Sequence, residues 1–93
     1  MAIKEDPETV AIEALAHVAA DEALMTRFLT LTGIDLGDLR QAAGEPGFLV
    51  AVLDFLAGHE PDLVAFAQVS ERDPEAVVSA RHALAGRDTF GYD

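Results

Sequence analysis

The sequence predicts an all-α fold, a compact bundle of about six short helices around one core. Three observations predict it. First, each of the four prolines follows an acidic residue, at Asp6-Pro7, Glu45-Pro46, Glu60-Pro61 and Asp73-Pro74. Proline suits the first helical turn, where its missing N–H is not needed, and an acidic neighbour suits the positive end of the helix dipole. Second, the segment 46–57, PGFLVAVLDFLA, carries Asp54 as its only charge. On a helix, Phe48, Leu49, Val52, Leu53, Phe55 and Leu56 cover well over half the circumference, so other helices must surround it. It reads as the central rod. Third, strand signals are almost absent: no window alternates apolar and polar residues cleanly, and no Asn-Gly or Asp-Gly turn occurs.

The elements follow in order. A first helix over 7–20, capped by Asp6, buries Ala11, Ala14, Leu15 and Val18 and turns Glu13 and His17 to water. A second starts near Asp21 and ends before Gly33, which closes it in the left-handed conformation; Leu24, Met25, Phe28 and Leu31 face inward, Thr26, Arg27 and Thr30 outward. The third has Asp35 as N-cap, Asp38 as an approximate capping box, and Ile34 with Leu39 as a hydrophobic staple; it ends by Gly44. The rod starts at Pro46 and stops at Gly58. As the most buried element, it should lose about 3–5 kcal/mol on Phe55→Ala. A fifth helix over 61–70 buries Leu63, Val64, Phe66 and Ala67. A sixth over 74–85 buries Val77, Ala80 and Leu84 and ends at Gly86. Residues 87–93, RDTFGYD, show no periodicity, so the layout is one helical domain over 1–86 and a tail over 87–93. A shift of about 38 residues pairs Leu15 with Leu53, Phe28 with Phe66 and Asp35 with Asp73. Two pseudo-repeated three-helix units are one reading of that pairing; the chance alignment of alanine-rich helices is the other.

The chain has 93 residues, 51% of them hydrophobic, enough for a single core. Its formal net charge is −11. Such acidity opposes phosphate backbones and anionic membranes, and the six basic residues, Lys4, Arg27, Arg40, Arg72, Arg81 and Arg87, are scattered in sequence. Neither nucleic acid nor a membrane is expected as partner. A basic protein partner is electrostatically allowed, although acidity also serves plain solubility. With no cysteine, disulfides, thiolate catalysis and cysteine-ligated zinc are excluded. The first residues, MAIKEDPETV, show no basic stretch leading into an apolar core. No uncharged apolar run reaches the roughly 18 residues that span a bilayer, so a cytoplasmic protein is expected.

Candidate chemistry is sparse. The three histidines, His17, His59 and His82, lack the spacing of a zinc site and read as solvated. Asp54 is the one carboxylate inside a strongly apolar helix, hence the one with a desolvation argument for acid–base work. The favoured reading places it on the thin face shared with Gly47, Ala51 and Gly58, near the surface or paired with an arginine. Asp35-Leu-Gly-Asp is better explained as a cap than as a calcium loop. No nucleophile elbow, phosphate-binding loop or dinucleotide fingerprint is present. No catalytic residue, metal ligand or cofactor is therefore assigned. Phe90 and Tyr92, on the glycine-interrupted tail, are the candidate interaction residues.

The run FLTLTGIDLGDLRQAAGEPGFLVAVLDFLAGHEPDLVAFA, followed by DPEAVVSARHAL, resembles a family of small bacterial proteins of unknown function found chiefly in alphaproteobacteria, the domain-of-unknown-function family 3572. The Thr-Gly-Ile-Asp turn, the Leu-Asp-Phe-Leu segment and the Asp-Pro-Glu-Ala-Val start of the last helix carry the resemblance, which extends from Thr9 to Leu84. It implies a cytoplasmic, all-helical single domain and supplies no activity or site residue. The functional expectation is an interaction module that binds another protein or itself, and not an enzyme. The alternative is a small enzyme or ligand-binding domain with a site near Asp54.

Overall fold

Asp6 and Asp21 start the first two helices with their side chains. The Asp6 carboxylate accepts the Glu8 N–H at 3.4 Å, and that of Asp21 accepts the Ala23 and Leu24 N–H groups at 3.0 and 3.2 Å. The structure, a computed structural model, describes residues 6–90, with side chains through residue 86. The elements run α1 (Pro7–Ala19), α2 (Glu22–Thr32), a 3-10 turn (Leu36–Asp38), α3 (Leu39–Ala42), α4 (Phe48–Ala57), α5 (Glu60–Val69) and α6 (Pro74–Phe90). No strand occurs among the described residues. Gly33, at φ 76°, closes α2 in the left-handed region, donating its N–H to the Leu29 carbonyl at 2.9 Å.

Helices α1, α4 and α6 each pack against the other two; α2 leans on α1, and α5 on α4 and α6. Ala11 and Ala14 on α1 are fully buried, and their small side chains let neighbouring helices approach closely. Val52, Leu53 and Leu56 of α4 and Val77, Ala80 and Leu84 of α6 complete the three-helix centre. Each large side chain buried there contributes roughly 1.5–3 kcal/mol. Asp54 is the one exposed residue of α4, so this helix is enclosed as the central rod should be. Phe28 of α2 is fully buried at its side, edge-on to Phe48 (5.8 Å, 87°) and Phe55 (5.4 Å, 76°).

Several expectations need correction. The rod starts at Phe48, two residues after Pro46. Pro46 and Gly47 instead form a turn in which Gly47 takes φ 84° and the Phe48 N–H donates to the Glu45 carbonyl at 3.2 Å. Glycine after proline makes this turn more favourable than a continuous helix. In α5, His59 is the N-cap and Pro61 lies one residue inside the helix start. Asp35 does precede a helical turn, but neither it nor Asp38 makes a side-chain capping bond. A 3-10 start tightens the turn and changes where the free N–H groups point. Phe55 is half-buried rather than central, and Leu15, Met25, Leu63 and Val64 are likewise half-buried. Leu31, expected inside, is exposed. The two three-helix halves of the possible repeat match in their first helices (13 and 10 residues) and second helices (11 and 10). They diverge in the third, 4 residues in α3 against 17 in α6.

Helix α6 does not stop at Gly86 but continues to Phe90. A Cβ added at Gly86 would meet nothing within 4 Å. Glycine inside a helix costs about 0.5–1 kcal/mol relative to alanine, through backbone entropy. Gly86→Ala should therefore raise stability by about that amount, read as a higher urea midpoint; a lower midpoint would mean that the helix ends there in solution.

Candidate functional site

Leu24, Phe28 and Leu31 share one side of α2, spaced four and three residues apart. Leu24 and Phe28 reach the core, but Leu31, one turn further on, is 71% exposed. There it meets the far end of α4. Leu31, Phe55 and Gly58 line an open cleft of about 370 Å³, with Arg27, Asp54 and His59 at the same opening.

Two ion pairs frame this cleft. Arg27 lies over the Phe55 ring, 5.2 Å from its centroid, and bonds Asp62, tying α2 to α5. Arg81 donates Nε to Asp54 Oδ1 at 2.5 Å and Nη2 to Oδ2 at 3.3 Å, tying α6 to α4. That hydrogen bonding, with the attraction of the Asp54 charge, pushes the Arg81 pKa above its ordinary value. A third pair lies elsewhere: Arg72 Nη1 donates to Glu13 Oε1 at 2.9 Å, joining the α5–α6 loop to α1. All three arginines thus act as ties between segments distant in sequence.

Asp54 is paired with an arginine. Its side chain is half exposed, and both oxygens accept from one guanidinium. The arrangement holds α4 and α6 together. His59 lines the same cleft and is exposed, as is His82. His17 is not solvated: it is half-buried, its ring 5.3 Å from that of Phe66 and tilted by 55°. Phe66 of α5 lies against His17, whereas Glu13, on the same side of α1, is exposed as expected. Among the described residues no three His, Asp or Glu side chains cluster as metal ligands would.

A model for a family described as Protein of unknown function (DUF3572) matches residues 4–87. The chain belongs to this family. No curated protein matches it, and no solved structure matches it. The match to DUF3572 includes every residue lining the cleft. Of the tail candidates, Phe90 is the last residue of α6 with its side chain outside the described residues, and Tyr92 lies outside them altogether.

Sequence reasoning missed Leu31 and Arg27 as surface features of one cleft. Leu31 carried the right periodicity for the core, so no local signal marks it. Arg27, outward on α2, is brought to Phe55 and Asp62 only by the packing of α2 beside α4 and α5.

Proposed function

We propose that this DUF3572 protein is a partner-binding module that engages another protein through the Leu31–Phe55 cleft. The observation that carries the reading is Leu31: a large apolar side chain, 71% exposed, beside an aromatic floor and framed by ion pairs that hold the surrounding helices in place. Exposed apolar side chains at a preformed cleft with a polar rim are the usual anatomy of an interaction site. Self-association is the second form of the reading, weakened by like-charge repulsion at a net charge of −11. The same charge, with Arg27, Arg72 and Arg81 each bonded to a carboxylate, argues against nucleic acid. No described helix is long and apolar enough to cross a membrane. Together with the family resemblance, this fits a partner met in a bacterial cytoplasm. An enzyme reading at Asp54 draws support from its sharing a cleft with His59 and loses it through the Arg81 pairing.

The test is affinity capture from cells that make the protein, comparing the natural chain with Leu31→Ser, with light scattering for self-association. Burying one leucine contributes about 1.5–3 kcal/mol, so a partner seated on the cleft should bind at least about tenfold more weakly to Leu31→Ser. A partner retained equally by both chains places the interface elsewhere. No specific partner and a monomer at high concentration overturn the reading.

A further inference from the structure

We infer that a second surface, around the turn between α2 and α3, receives a partner segment that combines an apolar side chain with lysine or arginine. This deepens the partner-binding reading and rests on it, but uses different residues. Two open clefts of about 440 and 400 Å³ adjoin along Gly33, Ile34 and Asp35. Their apolar part is formed by Leu29, Ile34, Leu36 and Ala42, and Leu36 is 68% exposed. Two adjoining open troughs suit a peptide segment; a small molecule needs a more enclosed cavity.

Charge selects the occupant. Asp35, Asp38 and Glu45 line the clefts, and no lysine or arginine lines either. The sequence assigns Asp35 and Asp38 a capping role, yet neither side chain caps a helix. Their charges are therefore not offset by backbone N–H groups, in contrast to Asp21. Complementary charge steers association and penalises acidic competitors. A second copy of this chain, at net charge −11, is disfavoured for the same reason.

The probe is a synthetic amphipathic helix of leucine and lysine, about 18 residues or roughly five turns, followed by fluorescence anisotropy. Its counterpart has glutamate at every lysine. The Leu/Lys peptide should bind, and its affinity should fall as salt is raised, because exposed charges are screened within about 10 Å at 0.1 M salt. Leu36→Ser should weaken it about tenfold, whereas Ile12→Ser, at a 53% exposed leucine-sized position on α1, should leave it unchanged. Both positions are exposed, and an unchanged urea midpoint verifies that each variant is folded. The D35N/D38N/E45Q triple substitution should remove most of the salt dependence. Equal binding by Leu36→Ser and the natural chain, equal binding of the Leu/Glu peptide, or no binding at all overturns the inference. A native partner lost with Leu31→Ser alongside any of those outcomes leaves the broader reading standing and removes only this one.

Discussion

Phe28→Ala is expected to destabilise the protein by about 3–5 kcal/mol, the range for truncating a buried aromatic. Phe28 is fully buried and edge-on to both Phe48 and Phe55. Each such ring pair adds about 0.5–1.5 kcal/mol beyond area burial. The effect is amplified by position, since Leu24 and Phe28 are the two buried residues of α2. Without Phe28, α2 keeps one full anchor in the core. A domain of this size has a total stability of roughly 5–14 kcal/mol, so the loss is a large share of it. Phe55, half-buried and partly covered by Arg27, should lose less than the fully buried Phe28, reversing the order expected from the rod alone. The measurement is urea unfolding, with Leu31→Ala as the reference. That exposed leucine on the same face should change stability by less than about 0.5 kcal/mol. A Phe28→Ala loss under about 1 kcal/mol would mean α2 is not docked as described.

Arg72→Ala is expected to cost about 2–3 kcal/mol through a different mechanism. The Arg72 side chain is only 7% exposed, and its guanidinium bonds Glu13 on α1. A hydrogen bond between charged groups contributes about 1.5–3 kcal/mol, and the buried methylene stem adds packing. The loop that presents Arg72 is itself held tightly. Glu71 takes φ 58°, its N–H donates to Gln68 O at 3.2 Å, and the Arg72 N–H donates to Ala67 O at 2.8 Å. This is the paired-bond pattern of a helix ending through a left-handed residue, a position that usually holds glycine. A non-glycine residue there carries about 1–3 kcal/mol of strain, which persists when the surroundings over-determine the geometry. Arg72, pinned to α1, supplies that determination. For a domain of this size the loss should lower Tm by roughly 10–20 °C. Arg72→Lys should fall between, keeping charge and stem but losing the planar fork. A Tm unchanged in Arg72→Ala would sink the argument.

Much of the fold was legible because its signals are local. Asp6, Asp21 and Gly33 act through hydrogen bonds within four residues of themselves, so the starts of α1 and α2 and the end of α2 can be read from neighbouring letters. The inward faces of α6 were legible for a similar reason: Val77, Ala80 and Leu84 recur at helical spacing, and all three are buried. Less was legible of the candidate sites. Asp54 was singled out correctly as paired with an arginine or near the surface, but its partner is Arg81, a residue 27 positions away. Asp35 stands at the N-cap position that the sequence assigns it, but its side chain makes no capping bond, which no local signal reveals.

The sequence by itself determined the all-helical class, the central position of α4 and the azimuth of each apolar stripe, because periodicity and capping depend on backbone geometry within one or two turns. Tertiary structure alone decided how far along each helix a neighbour reaches. Leu31 lies on the same side of α2 as Phe28, yet one is exposed and the other buried, because packing partners are not periodic. It also decided which charges meet: Glu13 finds Arg72 across 59 residues and Arg27 finds Asp62 across 35. Such pairings depend on where whole helices come to rest, which no window of adjacent residues encodes.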